Sequence, residues 1–292
     1  MRLDGRRSSG NIQDRRGLSG KTIGIGGGII GVIVAAVITL MSGGGIGDVA
    51  KNVFDVMQTQ GTSTQQAGAM QYDAEDQRLY DLASKVLAGT EDVWTKKFRE
   101  EGWGEYEPPQ MVIYSGAVQT GCGQGTAQTG PFYCSADRTV YIDLDFFRTM
   151  QSQIGASGDF CYAYVIAHEV GHHVQNLLGT LNKAHSAMSR LPEAEANKIS
   201  VCLELQADYY AGVWGHGDNE MFSSIEPGDI ENAINAASKI GDDYLQKKAY
   251  GREMPESFNH GRSDWRVHWL SKGLKSGDPT AGDTFTGQYP PL

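Results

Sequence analysis

Apolar and polar positions along the chain follow two periods, one typical of helices and one typical of strands. From Tyr72 onward, apolar residues recur every three or four positions, which predicts two helices separated by Gly89. The segments QMVIYSG (110–116) and TVYIDLDFF (139–147) are rich in β-branched and aromatic residues and predict strands. Further helical patterns cover about 159–178, 192–214 (ending at Gly215), 230–251 and 263–276. This order predicts one α+β domain.

The N-terminal part of the chain departs from this pattern. Residues Thr22 to Met41 contain no charged side chain, and a helix of about 20 apolar residues can cross a bilayer. A cleaved signal peptide is the alternative, but no clear small-residue cleavage site follows, so the pattern favours a retained single transmembrane helix. The sequence therefore predicts a tail (1–21), a transmembrane anchor (22–42), a flexible linker rich in Gly, Gln, Ser and Thr (43–70) and a folded domain (71–292).

The distribution of charge predicts how the chain is oriented across the membrane. The chain has a net charge of −10, yet residues 1–21 carry six basic and only two acidic side chains. Basic residues beside an apolar span indicate the cytoplasmic side, so the tail is expected in the cytoplasm and the domain outside it, periplasmic or extracellular. The acidic domain has no basic face for phosphates, which argues against a nucleic-acid partner. Overlapping G-x-x-x-G pairs within the anchor are compatible with a homo-dimer through that helix.

The four cysteines agree with export. An even number of cysteines in an exported domain predicts two disulfides, although the spacing alone leaves three pairings open. Cys122 and Cys134 flank a Gly-rich loop that a disulfide could close. We therefore expect a Cys122–Cys134 bond, which leaves Cys161 and Cys202 to join two of the predicted helices.

The segment AHEVGHHVQNLL (167–178) indicates a metal site. His168 and His172 are four residues apart on a predicted helix, so their imidazoles share a face and can reach one zinc ion. Glu169 is rotated by about 100° from His168, where it can reach a metal-bound water without ligating the metal. His173 projects from a different side of the helix than His168 and His172. It is expected to pack in the interior or to support a ligand, and not to bind the metal. Together these residues form the pattern H-E-x-x-H. The alternative to a metal site is a core helix that carries buried histidines.

A catalytic zinc needs a third protein ligand and one open position. The extended metzincin pattern fails because Gln175 and Leu178 occupy its Gly and third His positions. The next helix offers Glu204 as the third ligand, and Asp208, one turn further, could fix the tautomer of a zinc histidine. The competing interpretation is a solvated helix face with two acids; His185 and His216 are competing ligands in or beside predicted loops.

The motifs HEVGHHVQNLLG, ELQADYYAGVW, GPFYCSADRTVYIDLDFF and NHGRSDWRVHWLSKGLKSGDPTAGDTF together resemble the bacterial membrane-anchored neutral zinc metallopeptidase family, the YpfJ-like group. The resemblance implies a zincin-like, gluzincin-type peptidase domain in the bacterial inner membrane, with one catalytic zinc. It also implies roles for His260 and Arg266, which match the spacing of a later His-x5-Arg element in related membrane-linked peptidases. Gly261 stands where those peptidases usually have Pro.

These residues predict hydrolysis of a peptide bond in a peptide or protein substrate. The zinc held by His168, His172 and Glu204 is expected to activate a water, with Glu169 as general base. His260 is expected to stabilise the developing oxyanion, and Arg266 to hold its turn against the site. The strand near 139–144 is expected to pair with an extended substrate. A zinc-stabilised envelope scaffold and a cell-wall peptide amidase remain alternatives.

Overall fold

The structure, a computed structural model, describes residues 1–16, 72–126 and 129–286 and is a mixed α+β fold that is mostly helical. Its strands are β1 Ile12–Asp14, β2 Gln110–Tyr114, β3 Ala117–Thr120, β4 Gly123–Thr126, β5 Phe132–Cys134 and β6 Thr139–Asp143. Its α-helices are α1 Ala74–Glu101, α2 Asp145–Thr149, α3 Asp159–Leu177, α4 Thr180–Met188, α5 Glu193–Phe222, α6 Asp229–Lys239, α7 Asp242–Tyr250 and α8 Ser263–Ser276. The predicted α+β class is thereby confirmed.

The strands form a small four-stranded sheet in the order β1-β2-β6-β5, with β3 and β4 as a separate hairpin. β2 is parallel to both β1 and β6, whereas β5 is antiparallel to β6 and forms one edge of the sheet. Strands β2 and β6 are buried along almost their whole length, which explains why both read as apolar runs. The edge strand β5 contacts the helix that carries the H-E-x-x-H motif, since the Tyr133 hydroxyl lies 2.9 Å from His173 Nδ1.

Helices α1, α3, α5 and α8 surround the main hydrophobic core, and glycines let them approach one another closely. Helix α1 continues through Gly89 instead of breaking there. A glycine is needed at this position because a Cβ would lie 2.6 Å from a carboxylate oxygen of Asp218. Helix α5 likewise continues past Gly215, where a Cβ would meet the side chains of Phe160 and Leu274. The predicted helix boundaries at both glycines are wrong, since these glycines serve packing.

The cysteines are paired only in part as predicted. The Cys122–Cys134 disulfide is present and ties the hairpin loop to β5. Cys161 and Cys202 are buried free thiols, so the predicted bond between them is wrong. Helices α3 and α5 are antiparallel, with Phe160 packed beside Gly215. Because Cys202 lies 13 residues before Gly215, it is displaced from Cys161 by about 20 Å along the helix at 1.5 Å per residue.

Residues 1–16 are packed on the same body and do not form a separate tail. Strand β1 adds to the sheet beside β2, and Arg16 is only 3% exposed. The predicted anchor and linker, residues 22–70, lie outside the described residues. Within the described residues, no helix is both long and apolar enough to cross a membrane.

Candidate metal centre

Three of the predicted site residues meet at the interface of α3 and α5. His168 and His172 lie one turn apart on α3, and Glu204 faces them from α5. His168 Nε2 is 3.1 Å from Glu204 Oε2, and His172 Nε2 is 3.3 Å from Glu204 Oε1. One ligand atom from each of the three residues lies within 4.8 Å of the other two. The helical spacing predicted from the sequence therefore produces a compact set of two imidazoles and one carboxylate.

The outer nitrogens of both histidines have hydrogen-bond partners. His168 Nδ1 lies 2.8 Å from Asp208 Oδ1, and His172 Nδ1 lies 2.9 Å from Gln175 Oε1. Since a carboxylate and an amide oxygen can only accept, each Nδ1 carries the proton in these bonds. When both rings are neutral, the two Nε2 lone pairs point toward the carboxylate of Glu204. These electron-donating atoms have no proton between them, and a bound cation would satisfy all three groups. The donor set of two nitrogens and one oxygen fits zinc.

The electrostatics of the site show how strongly it attracts positive charge. Burial lowers the pKa of His168, but Asp208 and Glu204 outweigh it and raise that pKa to about 10. The pKa of His172 is also raised: burial lowers it, and the charge of Glu204 more than compensates. A proton and a metal ion compete for the same Nε2 lone pairs. The carboxylates that favour imidazolium in the metal-free site are therefore the groups that favour a bound cation.

Asp208 is fixed in turn by a buried network. The Arg266 guanidinium forms a bidentate pair with it, from Nε to Oδ2 at 2.8 Å and from Nη2 to Oδ1 at 3.0 Å. The Tyr164 hydroxyl donates to Asp208 Oδ1 at 2.6 Å. Although burial raises the pKa of Asp208, the charges of Arg266 and His168 lower it to about 2. Asp208 is therefore an anion at neutral pH, and Arg266 orients the partner of a metal-site histidine.

Glu169 lies beside the histidines in the wall of a cleft of about 580 Å³. Its side chain is 8% exposed. Burial raises the pKa of Glu169, against the opposing effect of His168 and His172. A carboxylate with a raised pKa next to a metal site is suited to accept and return a proton near neutral pH.

His260 lines the same cleft, where its side chain is 53% exposed. Asp242 accepts hydrogen bonds from the backbone N–H groups of Asn259, His260 and Gly261, and its Oδ1 is 3.2 Å from His260 Nδ1. Although half of the ring is exposed, its partial removal from water lowers the pKa of His260, but the hydrogen bond and charge of Asp242 more than compensate and raise it. Arg266 pairs with an acid, as expected, but that acid is Asp208. The His260 turn is held by Asp242.

The remaining histidines lie outside the ligand set. His173 is fully buried and joins the active-site helix to other elements: its Nδ1 is 2.9 Å from the Tyr133 hydroxyl, and its Nε2 is 2.7 Å from the Glu107 carbonyl oxygen. Burial lowers the pKa of His173 to about 4, so the ring is neutral. His185 lines the cleft, and His216 contacts Leu274 and Glu220 away from it.

The cleft runs from the metal centre along the edge of the sheet. Its lining is largely apolar and includes Phe132 and Tyr133 of β5 together with Phe146, Leu181 and Leu203. The predicted pairing of a substrate with the strand near 139–144 is wrong. That strand is β6, and β2 is paired along one side of it and β5 along the other. Among the described strands, β5 is the one whose outer edge borders the cleft.

A family model described as "Putative neutral zinc metallopeptidase" matches residues 1–285. The chain belongs to this family. The uncharacterized protein YpfJ of Escherichia coli K12 is 44% identical over 98% of this chain and 99% of its own length. The uncharacterized protein Rv2575 of Mycobacterium tuberculosis H37Rv is 42% identical over 62% of this chain and 64% of its own. No solved structure matches this family member significantly.

Three residues that support the site, Tyr164, Gln175 and Asp242, were not predicted from the sequence. Gln175 lies three residues after His172 on the same helix face, and this spacing was a usable signal for a hydrogen-bond partner. Asp242 lies 18 residues before His260, and no spacing rule connects an acid at a helix N-terminus with so distant a turn.

Proposed function

We propose that this protein is a zinc-dependent peptidase of the zincin type that hydrolyses peptide bonds. The observation that carries the proposal is the convergence of His168, His172 and Glu204 beside a buried Glu169 in an open, mostly apolar cleft. His168, His172 and Glu204 would hold one zinc, and the membership of the family agrees with that metal. Asp208 and Gln175 would keep both imidazoles in the ligating tautomer.

Zinc bound there would polarise the scissile carbonyl and acidify the attacking water. Glu169 would accept the proton of that water and pass it to the leaving amine. Its buried position supports this role, because burial raises its pKa toward the working range of a general base. His260, oriented by Asp242, would donate a hydrogen bond to the oxygen that becomes negative in the transition state.

The cleft supports a peptide or protein as substrate. An extended peptide could lie along the outer edge of β5, where backbone hydrogen bonds would align it without regard to its side chains. The apolar lining from Phe132, Phe146 and Leu203 would then favour apolar side chains near the scissile bond. An envelope scaffold stabilised by zinc also needs the three ligands, but it has no use for Glu169 beside an open cleft.

Location and assembly remain proposals. The Cys122–Cys134 disulfide supports an exported domain, since such bonds persist in oxidising compartments. The anchor in the bacterial inner membrane and a homo-dimer through that helix rest on residues outside the described ones.

The test is cleavage of a mixed peptide library by the purified full-length protein, loaded with zinc or stripped by a chelator. We expect products with zinc, none after stripping, and recovery when zinc is returned. The cleaved bonds would also separate peptidase action from an amidase restricted to cell-wall peptides. A zinc-loaded protein that leaves the library, casein and cell-wall peptides intact would contradict the proposal.

A further inference from the structure

Arg6 and Arg7 of the N-terminal segment pair with acids of the folded body. Arg6 forms two bonds to the carboxylate of Asp218, from Nη2 to Oδ1 at 2.7 Å and from Nη1 to Oδ2 at 3.2 Å. Asp218 is completely buried, and the Arg6 guanidinium stacks 3.6 Å from the ring centroid of Phe222. Gly89 of α1 leaves the space that this pair fills, since a Cβ there would lie 2.8 Å from Arg6 Nη2.

Two further arginines are held in a similar way. Arg7 Nη2 lies 2.9 Å from Glu91 and 2.6 Å from Asp92, both on α1. Arg16 pairs with Asp14 at 2.6 Å and donates to the carbonyl oxygen of Asp76 at 3.0 Å. Its guanidinium also stacks 4.0 Å from the ring centroid of Tyr72. Tyr72 is the first residue described after the gap at 17–71, so both ends of that gap lie together on one body.

Backbone pairing fixes the segment between these arginines. Residues Ile12–Asp14 run parallel to β2, with Gln13 opposite Val112. The Met111 N–H donates to the Asn11 carbonyl oxygen at 2.8 Å, and the Arg15 N–H donates to the Ile113 carbonyl oxygen at 2.7 Å. A strand in the sheet cannot leave without exposing these backbone groups and the apolar edge of β2.

The sequence predicts that residues 1–21 form a free basic tail, which stays in the cytoplasm while the domain is exported. The structure pairs Arg6 and Arg7 with acids of the domain, and it pairs Arg16 with Asp14 and the Asp76 carbonyl oxygen. These three arginines are therefore not unpaired positive charge. We propose that residues 1–16 are an integral part of the folded domain and lie on the same side of the membrane as residues 72–286. This placement does not fit the single-pass arrangement expected from the sequence. This proposal is independent of peptidase activity.

Cross-linking in the full-length protein within native membranes tests the docking. Gln13→Cys combined with Val112→Cys places thiols on directly paired residues, within the range that a disulfide spans. Gln13→Cys with Tyr114→Cys is the matched control, displaced by two residues along the same face. After mild oxidation and digestion, mass spectrometry should find the first pair linked in most molecules and the second pair at least roughly tenfold less. Absence of the first link in zinc-loaded protein would overturn the proposal.

Labelling with a membrane-impermeant maleimide tests the topology. Ser8→Cys and Glu193→Cys, made separately, place a thiol at an exposed position of the N-terminal segment and of α5. The natural cysteines contribute little background, because two are bonded to each other and two are buried. Both variants should label in intact spheroplasts, or both only after lysis. Labelling of one before lysis and of the other only after it would refute the proposal.

Discussion

Replacing Gln175 with Leu should weaken zinc binding without removing a ligand. Gln175 is fully buried, and its Oε1 accepts from His172 Nδ1 at 2.9 Å. Its amide group donates to the Leu203 carbonyl oxygen at 2.7 Å and to Gln206 Oε1 at 3.1 Å. Leu has a similar volume, so the substitution removes hydrogen bonds without opening a large cavity.

The loss of the acceptor leaves the His172 Nδ1–H buried without its partner. Loss of such a partner typically weakens metal binding by about 10–100-fold, equivalent to about 1.4–2.7 kcal/mol. The free energy of unfolding of the metal-free protein should also fall, by about 1–3 kcal/mol for buried polar groups left unpaired. Zinc affinity is measured by competition with a chromogenic chelator, and stability by urea unfolding.

Gln206→Met is the matched control. Gln206 is bonded to Gln175 and donates to the Gly282 carbonyl oxygen at 2.9 Å, but it does not contact His172. This variant should lose comparable stability and keep its zinc affinity. Equal zinc affinity in Gln175→Leu and the wild type, or an equal loss in both variants, would refute the idea that Gln175 orients His172.

Three other predictions follow from the site and the cysteines. His260→Ala should keep its zinc and lower kcat by roughly 100-fold with little change in KM, as for loss of one oxyanion donor; an unchanged kcat would return His260 to the role of a surface residue. Because Asp242 raises the pKa of His260, Asp242→Asn should lower it and shift the alkaline limb of the pH–kcat profile to lower pH, whereas an unmoved limb would argue against a protonated His260 donor. Unfolding without reductant should expose two thiols, Cys161 and Cys202; a count of four or none would contradict the pairing.

The local part of the site could be predicted from the sequence because helical periodicity determines it. The four-residue spacings of His168 and His172 on α3, and of Glu204 and Asp208 on α5, each place two side chains on one face. The contact between the two faces then follows from the burial of both helices. The same rule of spacing could have identified Gln175.

The parts that could not be predicted depend on contacts between distant segments. In the sequence, Gly89 suggests the end of a helix. The fold shows that glycine is needed there because the Arg6–Asp218 pair occupies the space beside it. An even number of cysteines suggests a bond between Cys161 and Cys202, but the antiparallel packing of their helices places them far apart. Likewise, the arginines before the apolar segment follow the charge pattern of a cytoplasmic tail, and only the fold shows that acids of the domain pair with Arg6 and Arg7.

Zinc content and hydrolysis, measured together on Glu169→Gln, test the central claim most directly. The substitution keeps the size of the side chain and all three metal-site residues, but it removes the carboxylate that would accept the proton of the attacking water. The account predicts one zinc per chain in both proteins, with cleavage of a peptide that the wild type cleaves reduced by at least roughly 100-fold in the variant. Full hydrolysis by zinc-loaded Glu169→Gln would contradict it.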